Sequence, residues 1–258
     1  MIIQYCSDLH LEFPENEKFL RTNPIESIGD ILILSGDIVP FAIMDKYLWF
    51  FEDLSSKFKQ IYWVPGNHEY YYYYSDISSR TSALNEKILH NVSLVNNLCV
   101  QHDDITFIFS TLWSNISEQN QYFIQNRLSD FVVIKNQDRL FLPLDYNKMH
   151  RESIDFIKSA LNNSATGSIV VATHHVPTFL NYPEKYKGDI LNEAFVSELF
   201  ELIESSNINY WIFGHHHSNI TEFTIADTLL LTNQLGYVRN DEHFLFKTST
   251  INVASLKQ

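Results

Sequence analysis

Five short polar clusters carry the chemistry latent in this chain: Asp8-Leu9-His10, Gly36-Asp37, Gly66-Asn67-His68-Glu69, Thr173-His174-His175 and Gly214-His215-His216-His217. Aspartate, asparagine and histidine together form a donor set for hard or borderline divalent cations. Asp8 and His10 stand two residues apart, so on an extended segment both side chains share a face and one ion could take both. The same parity holds for His215 and His217, and it leaves His216 as a spacer turned elsewhere. Asp37 follows Gly36, whose missing side chain lets a carboxylate approach two ions closely and bridge them. Asn67 offers a neutral amide oxygen that adds no charge to an acidic cluster, while His68 beside it projects in another direction and suits a proton donor. The pattern describes a two-metal hydrolytic site.

Each cluster directly follows a short apolar run of the kind that forms a buried strand: Ile2 to Cys6, Asp30 to Ser35, Gln60 to Val64, Ile169 to Ala172 and Tyr210 to Phe213. Strands that end in donors gather those donors at one sheet edge. Helical spacing of Tyr47, Leu48, Phe51, Leu54 and Phe58 predicts a helix over 45–57 and a β-α-β pattern. Further helices are expected over 75–89, 117–128, 147–161 and 193–205. Residues 94–100 and 105–109 read as antiparallel strands, and 220–225, 228–232 and 245–253 supply more β material. The sum is an α/β protein of two mixed sheets with helices outside. One domain over 1–258 is expected, with a helical insertion at about 112–165, because the donors run from Asp8 to His217 and no linker or repeat divides the chain.

A chain of 258 residues, 45% hydrophobic, has ample material for a core. The net charge of −13 argues against a grip on long stretches of phosphate backbone, which relies on clustered Lys and Arg. Small anionic substrates remain compatible, because two divalent ions reverse the local sign inside a pocket. No apolar run approaches the roughly 20 residues of a membrane span, and the N-terminus lacks the pattern of a leader, so the chain reads as a soluble cytoplasmic protein. Cys6 and Cys99 lie in apolar strand-like segments and read as buried free thiols. There is no Gly-x-Ser-x-Gly, no Gly-rich phosphate loop and no Cys-x-x-Cys, so covalent catalysis is not expected.

Asp-x-His, Gly-Asp, Gly-Asn-His-Glu, a later His and Gly-His-x-His, in that order from Asp8 to His217, resemble the signature of the calcineurin-like metallophosphoesterase superfamily, and no motif departs from it. The resemblance implies a four-layer α-β-β-α sandwich of two mixed β-sheets flanked by helices, with a dinuclear centre at the sheet edge. By position, it implies that one ion is held by Asp8, His10, Asp37 and His217 and the other by Asp37, Asn67, His174 and His215. His174 takes the ligand position of its pair, with Pro177 where the family often shows a proline. Two divalent ions are implied; the sulfur-free donor set fits Mn²⁺, Fe or Zn²⁺, with Mn²⁺ favoured. A metal-bridging hydroxide would then attack a small phosphate mono- or diester, a nucleotide among the candidates, while His68 protonates the departing alkoxide.

For the substrate, the run Tyr70 to Tyr74 begins beside the catalytic motif and could stack on a base or a sugar, or else cover the core. Trp113, Arg127 and His175 are further candidates for the pocket, Arg127 as a phosphate clamp. Asn233 and Tyr237 follow a late strand where relatives carry a loop near the site. Two other readings compete. A nuclease of the same superfamily is weighed down by the acidic balance and the lack of a separate basic domain. A catalytically dead protein-binding scaffold would be expected to lose ligands or His68, and here all are present.

Overall fold

A computed structural model describes residues 1–72, 76–79, 83–164 and 167–253. In chain order the elements are β1 (Ile2–Cys6), α1 (Pro14–Thr22), β2 (Ile31–Ser35), α2 (Leu48–Lys57), β3 (Gln60–Val64), β4 (Leu84–Leu89), β5 (Val92–Asn96), β6 (Leu98–His102) and β7 (Ile105–Ser110). They continue with α3 (Gln121–Gln125), α4 (Asp130–Val133), β8 (Lys135–Asn136), β9 (Arg139–Leu140), α5 (Pro143–Asn163), β10 (Ser168–Thr173), α6 (Phe200–Glu204), β11 (Tyr210–Phe213), β12 (Phe223–Ile225), β13 (Thr228–Thr232) and β14 (Thr250–Asn252). Short 3-10 turns lie between them.

Two six-stranded sheets result, β14-β1-β2-β3-β5-β4 and β12-β13-β11-β10-β7-β6. In each, the inner strands run parallel and both edge strands antiparallel, β14 and β4 in the first, β12 and β6 in the second. Parallel strands covered on both sides read as continuous apolar runs, and β2, Ile-Leu-Ile-Leu-Ser, is buried at every position. Its side chains alternate between two cores. Ile31 and Ile33 face the gap between the sheets with Tyr62, Val64, Phe107, Phe109 and Val170, while Leu32 and Leu34 face outward onto Phe51 and Leu54 of α2. On the far side of the second sheet, Val171, Trp211 and Leu230 pack against Ile157 of α5 and Ile203 of α6. The order is helix, sheet, sheet, helix.

Several expectations for the elements change. Residues 84–89 form a strand, not the end of a helix over 75–89: Leu84, Glu86 and Ile88 alternate with more exposed residues, and the segment pairs antiparallel with β5. The segment 94–100 is two strands, because Asn97 adopts a left-handed φ of 45° and passes the chain from one sheet to the other. The helix over 193–205 shrinks to α6, since the chain before it is extended where the Ser197 amide donates to the Val176 carbonyl at 2.8 Å. The helix α1, which begins at Pro14, was not anticipated. Cys6 is a buried free thiol, but Cys99 on edge strand β6 is exposed. Tyr73 and Tyr74 lie outside the described residues. Among those described, no helix is long and apolar enough to cross a membrane.

Candidate metal centre

All five clusters emerge from carboxyl ends of parallel strands: β1 into Asp8 and His10, β2 into Asp37, β3 into Asn67 and His68, β10 into His174, β11 into His215 and His217. The way they converge differs from simple strand parity. Asp8, His10, Asp37, His215 and His217 have φ of 56°, 46°, 56°, 80° and 50°, so both pairs are brought together by left-handed turns and not by an extended segment. Asp and His tolerate that region better than most residues, yet each such position still costs about 1 kcal/mol. Neighbouring loops hold the turns in place. The Asp8 amide donates to the Gly36 carbonyl and the His10 amide to the Asp37 carbonyl, both at 2.9 Å, and the His215 amide donates to Asp8 Oδ1 at 3.0 Å.

Two groups of donor atoms share Asp37. Asp8, His10, Asp37 and His217 present donors within 4.8 Å of one another, and so do Asp37, His174 and His215. Asn67 Oδ1 joins the second group at 3.2 Å from His174 Nε2. His10 Nε2 lies 3.0 Å from His217 Nε2, and His174 Nε2 lies 3.0 Å from His215 Nδ1. Two nitrogens each about 2.1 Å from one cation, near a right angle, stand about 3 Å apart, so the spacing fits shared coordination. The surroundings also call for positive charge. Burial opposes protonation of His217 and His174, yet Asp8 with Glu242 raises His217 to about 10, and Asp37 raises His174 to about 9. Gly66 leaves room for the donors: a Cβ there would collide with Asp37 Oδ1 and come 2.7 Å from His174 Nε2.

The outer contacts fix which nitrogen each imidazole turns inward. His10 Nδ1 pairs with Glu12 Oε1 at 3.1 Å, His217 Nδ1 with Glu242 Oε2 at 2.9 Å, and His174 Nδ1 with the Ser35 carbonyl at 3.0 Å. Asn67 Nδ2 donates to Asp130 Oδ1 at 2.9 Å, which leaves its Oδ1 facing His174. Glu69 ties the loops together. Its carboxylate accepts from the amides of Asp37, Ile38 and Gly66 at 3.0, 2.7 and 2.5 Å and from Trp63 Nε1 at 3.1 Å. Burial and then the charge of Asp37 push Glu69 up to about 7, against the pull of the Ile38 and Gly66 amides.

His68 stands beside the donors at the wall of a pocket of about 380 Å³. Its amide donates to Asp37 Oδ1 at 2.9 Å, its Nδ1 pairs with Glu12 Oε1 at 3.0 Å, and its ring stacks on Tyr71 with centroids 4.1 Å apart. Burial lowers its basicity, but Asp37 and Glu12 outweigh this and raise it above the ordinary histidine value. Arg127 reaches the pocket rim with its guanidinium 3.6 Å over the Phe123 ring. Tyr182, Tyr186, Phe195 and Tyr237 supply aromatic wall, and His216, expected to turn away, also borders the pocket. Its Nδ1 accepts from the Ser218 amide at 3.1 Å.

Three expected substrate contacts are interior residues instead. Tyr70 and Trp113 are buried in the core of the insertion with Phe131, Phe141 and Tyr146, where large aromatics gain most from leaving water. His175 is sealed behind His174, with Nδ1 at 3.1 Å from the Thr111 carbonyl and Nε2 at 2.9 Å from the Tyr146 hydroxyl. Among residues the sequence reading missed, Glu12 continues the alternation of Asp8-Leu9-His10-Leu11-Glu12 and was findable there. Asp130, Glu242 and Tyr182 sit in no motif, and no spacing announced them.

A two-sheet α/β sandwich whose strands deliver two adjoining donor groups to one edge defines a metal-site hydrolase class. A family model described as calcineurin-like phosphoesterase matches residues 1–219, and the chain belongs to that family, whose members are hydrolases acting on phosphate esters. Uncharacterized protein L509 of Acanthamoeba polyphaga mimivirus is 34% identical over 267 residues, covering 94% of each chain. The fold is similar to that of the phosphopantetheinyl hydrolase PptH of Mycobacterium tuberculosis, with a TM-score of 0.70 at 13% identity over 96% of this chain and 95% of that one.

Proposed function

We propose that this chain hydrolyses a small phosphate ester at the paired donor groups, with His68 as the proton donor to the leaving alkoxide. The observation that carries the reading is the convergence of Asp8, His10, Asp37, Asn67, His174, His215 and His217 into two groups sharing Asp37, beside a pocket that His68 borders. Two divalent ions held there, Mn²⁺ by preference and Fe or Zn²⁺ by the same donor chemistry, would lower the pKa of water and neutralise phosphoryl charge. Glu12 engages His68 Nδ1, which leaves Nε2 as the nitrogen to meet a substrate in the pocket that His68 lines. The carboxylate favours the imidazolium form, which can release a proton from Nε2 to a departing oxygen.

Beyond the floor, the aromatic wall of Tyr182, Tyr186 and Phe195 suits an apolar or aromatic leaving group, and Arg127 at the rim suits an anionic substrate. A pocket of about 380 Å³ takes a small molecule. With 31 acidic against 18 basic residues, the balance favours such a substrate over a polymer of phosphates. The test is hydrolysis of p-nitrophenyl phosphate and bis-p-nitrophenyl phosphate side by side, after chelation and after return of Mn²⁺, Zn²⁺ or Fe²⁺. Turnover that disappears with chelator and returns with metal supports the reading, and the ratio of the two rates separates monoester from diester preference. No turnover with any metal, on a folded protein that binds the ions, would overturn it.

A further inference from the structure

Glu12 lies in the turn that follows β1, with a side chain only 2% exposed. A single carboxylate oxygen, Oε1, faces two imidazoles: His10 Nδ1 at 3.1 Å and His68 Nδ1 at 3.0 Å. The two rings meet edge to face with centroids 4.5 Å apart. Oε2 is buried and has no hydrogen-bond partner among the described residues. A buried carboxylate of this kind is costly unless its position is fixed by its partners. Because Glu12 accepts from both Nδ1 atoms, both rings must turn Nε2 away from it. For His10 that is toward His217 and Asp37, while His68 lines the pocket.

We propose that Glu12 is a positioning residue shared by a metal-ligating imidazole and the proton-donating one, so that one carboxylate sets both ion affinity at the Asp8 group and the aim of His68. The second half rests on the reading of His68 given above. The arrangement is asymmetric: Glu242 backs the His217 imidazole, and among the described residues no carboxylate backs an imidazole of the second donor group through its outer nitrogen. Glu12 is the point where binding and proton transfer meet, through hydrogen bonds and not through contact with substrate.

The experiment compares wild type, Glu12→Gln, His68→Ala and the double variant, each checked for an unchanged unfolding midpoint. Two readouts are taken: Mn²⁺ affinity by calorimetry, and kcat at saturating Mn²⁺ on a p-nitrophenyl ester and on an alkyl ester of the same phosphate type. An alkoxide needs a proton where p-nitrophenolate does not. The expected result for Glu12→Gln is Mn²⁺ affinity weakened about 10-fold or more. Its alkyl-ester rate should fall about 10²-fold, with a much smaller loss on the p-nitrophenyl ester. In the His68→Ala background Glu12→Gln should cost no further rate yet still weaken Mn²⁺ binding.

Rate losses that multiply in the double variant, or Glu12→Gln with wild-type affinity and rates beside a slow His68→Ala, would overturn the shared role while leaving His68 in place. His68→Ala with wild-type rates on both esters would overturn the His68 reading itself, and the shared role with it. Glu12→Asp, which shortens the side chain but keeps the charge, should recover less than half of the loss if position is what matters; full recovery would point to charge alone and also overturn the proposal.

Discussion

The floor of the pocket takes all its donors from the ends of parallel strands, whereas its outer wall comes from three stretches between or after them, 127–130, 182–195 and 237–242. The floor is fixed from several sides at once: strand pairing behind, left-handed turns at Asp8, His10 and Asp37, and the Glu69 carboxylate across two loops. The wall combines local contacts, such as the Tyr182 hydroxyl donating to Asn192 Oδ1 at 3.2 Å and the Asp189 cap on the Leu191 amide at 2.9 Å, with long-range ones: Asp130 Oδ1 accepts from Asn67 Nδ2 at 2.9 Å, and Glu193 accepts from the Ser117 amide at 2.8 Å and Asn120 Nδ2 at 2.7 Å. Strain is sustainable where the surroundings over-determine a conformation and not elsewhere. The donors are thus built into the sheet edge, while the wall is assembled from the segments between and after the strands.

The strongest way to break this comparison is at the floor. Asp37→Ala removes the one carboxylate common to both donor groups. It should abolish the binding of at least one ion and lower kcat about 10³-fold or more, several kcal/mol of lost stabilisation. A variant that still bound two equivalents of Mn²⁺ by elemental analysis would refute a shared Asp37.

Trp113→Ala moves the test to the packing beneath the wall. Trp113 is 2% exposed among Phe141, Tyr146 and His175. Truncation should destabilise by about 3–5 kcal/mol through the cavity it leaves. At temperatures where the variant stays folded, Mn²⁺ affinity and KM should hold. A raised KM with an unchanged melting temperature would return Trp113 to the pocket surface.

Arg127→Ala probes the wall itself. The side chain is exposed and contacts the Phe123 ring and carbonyl, so stability should change by no more than about 0.5 kcal/mol. KM should rise about 10-fold with kcat little changed, the pattern of binding shared by ground and transition states. An unchanged KM would mean that the rim does not read the substrate's charge.

The same division governs what the sequence made legible. Apolar runs ending in Asp, Asn or His marked the strands and six of the seven donors by type and position, since buried parallel strands have a strong signature and ligands tolerate little chemical variety. The His174 and His175 pair could not be separated on that basis: both are buried and both follow β10, and only the Thr111 carbonyl and Tyr146 hydroxyl show that His175 is committed to packing. The tyrosine run stayed open between two readings for a related reason, because an aromatic beside a catalytic motif serves a core as readily as a pocket, and Tyr70 went to the core while Tyr71 stacked on His68. Asp130 and Glu242 were invisible because their roles arise only when distant segments fold against the floor.

The mildest test asks whether the insertion that supports the wall can be weakened without touching the floor. Asp145 in the first turn of α5 accepts from the Leu142 amide at 3.0 Å and from Arg139 Nη2 at 2.7 Å. The next residues of the helix, Tyr146 and Asn147, hold the insertion: Asn147 accepts from the Ile116 amide at 2.8 Å. Burial alone would raise the Asp145 carboxyl, but the Arg139 contact, then the Asn136 side chain and the Leu142 amide, outweigh it and hold it below the ordinary carboxylate range. A carboxyl lowered on folding stabilises fully above its unfolded pKa, near 4, and loses that contribution as the pH falls through the folded value. Asp145→Asn should thus cost about 1 kcal/mol at pH 7, a drop of about 2–4 °C in Tm, and the gap from wild type should close on acidification. Mn²⁺ affinity should stay at the wild-type value throughout. Weaker ion binding in this variant would mean that the floor leans on the insertion through Asp130 and Asn67 more than the strand-end geometry implies.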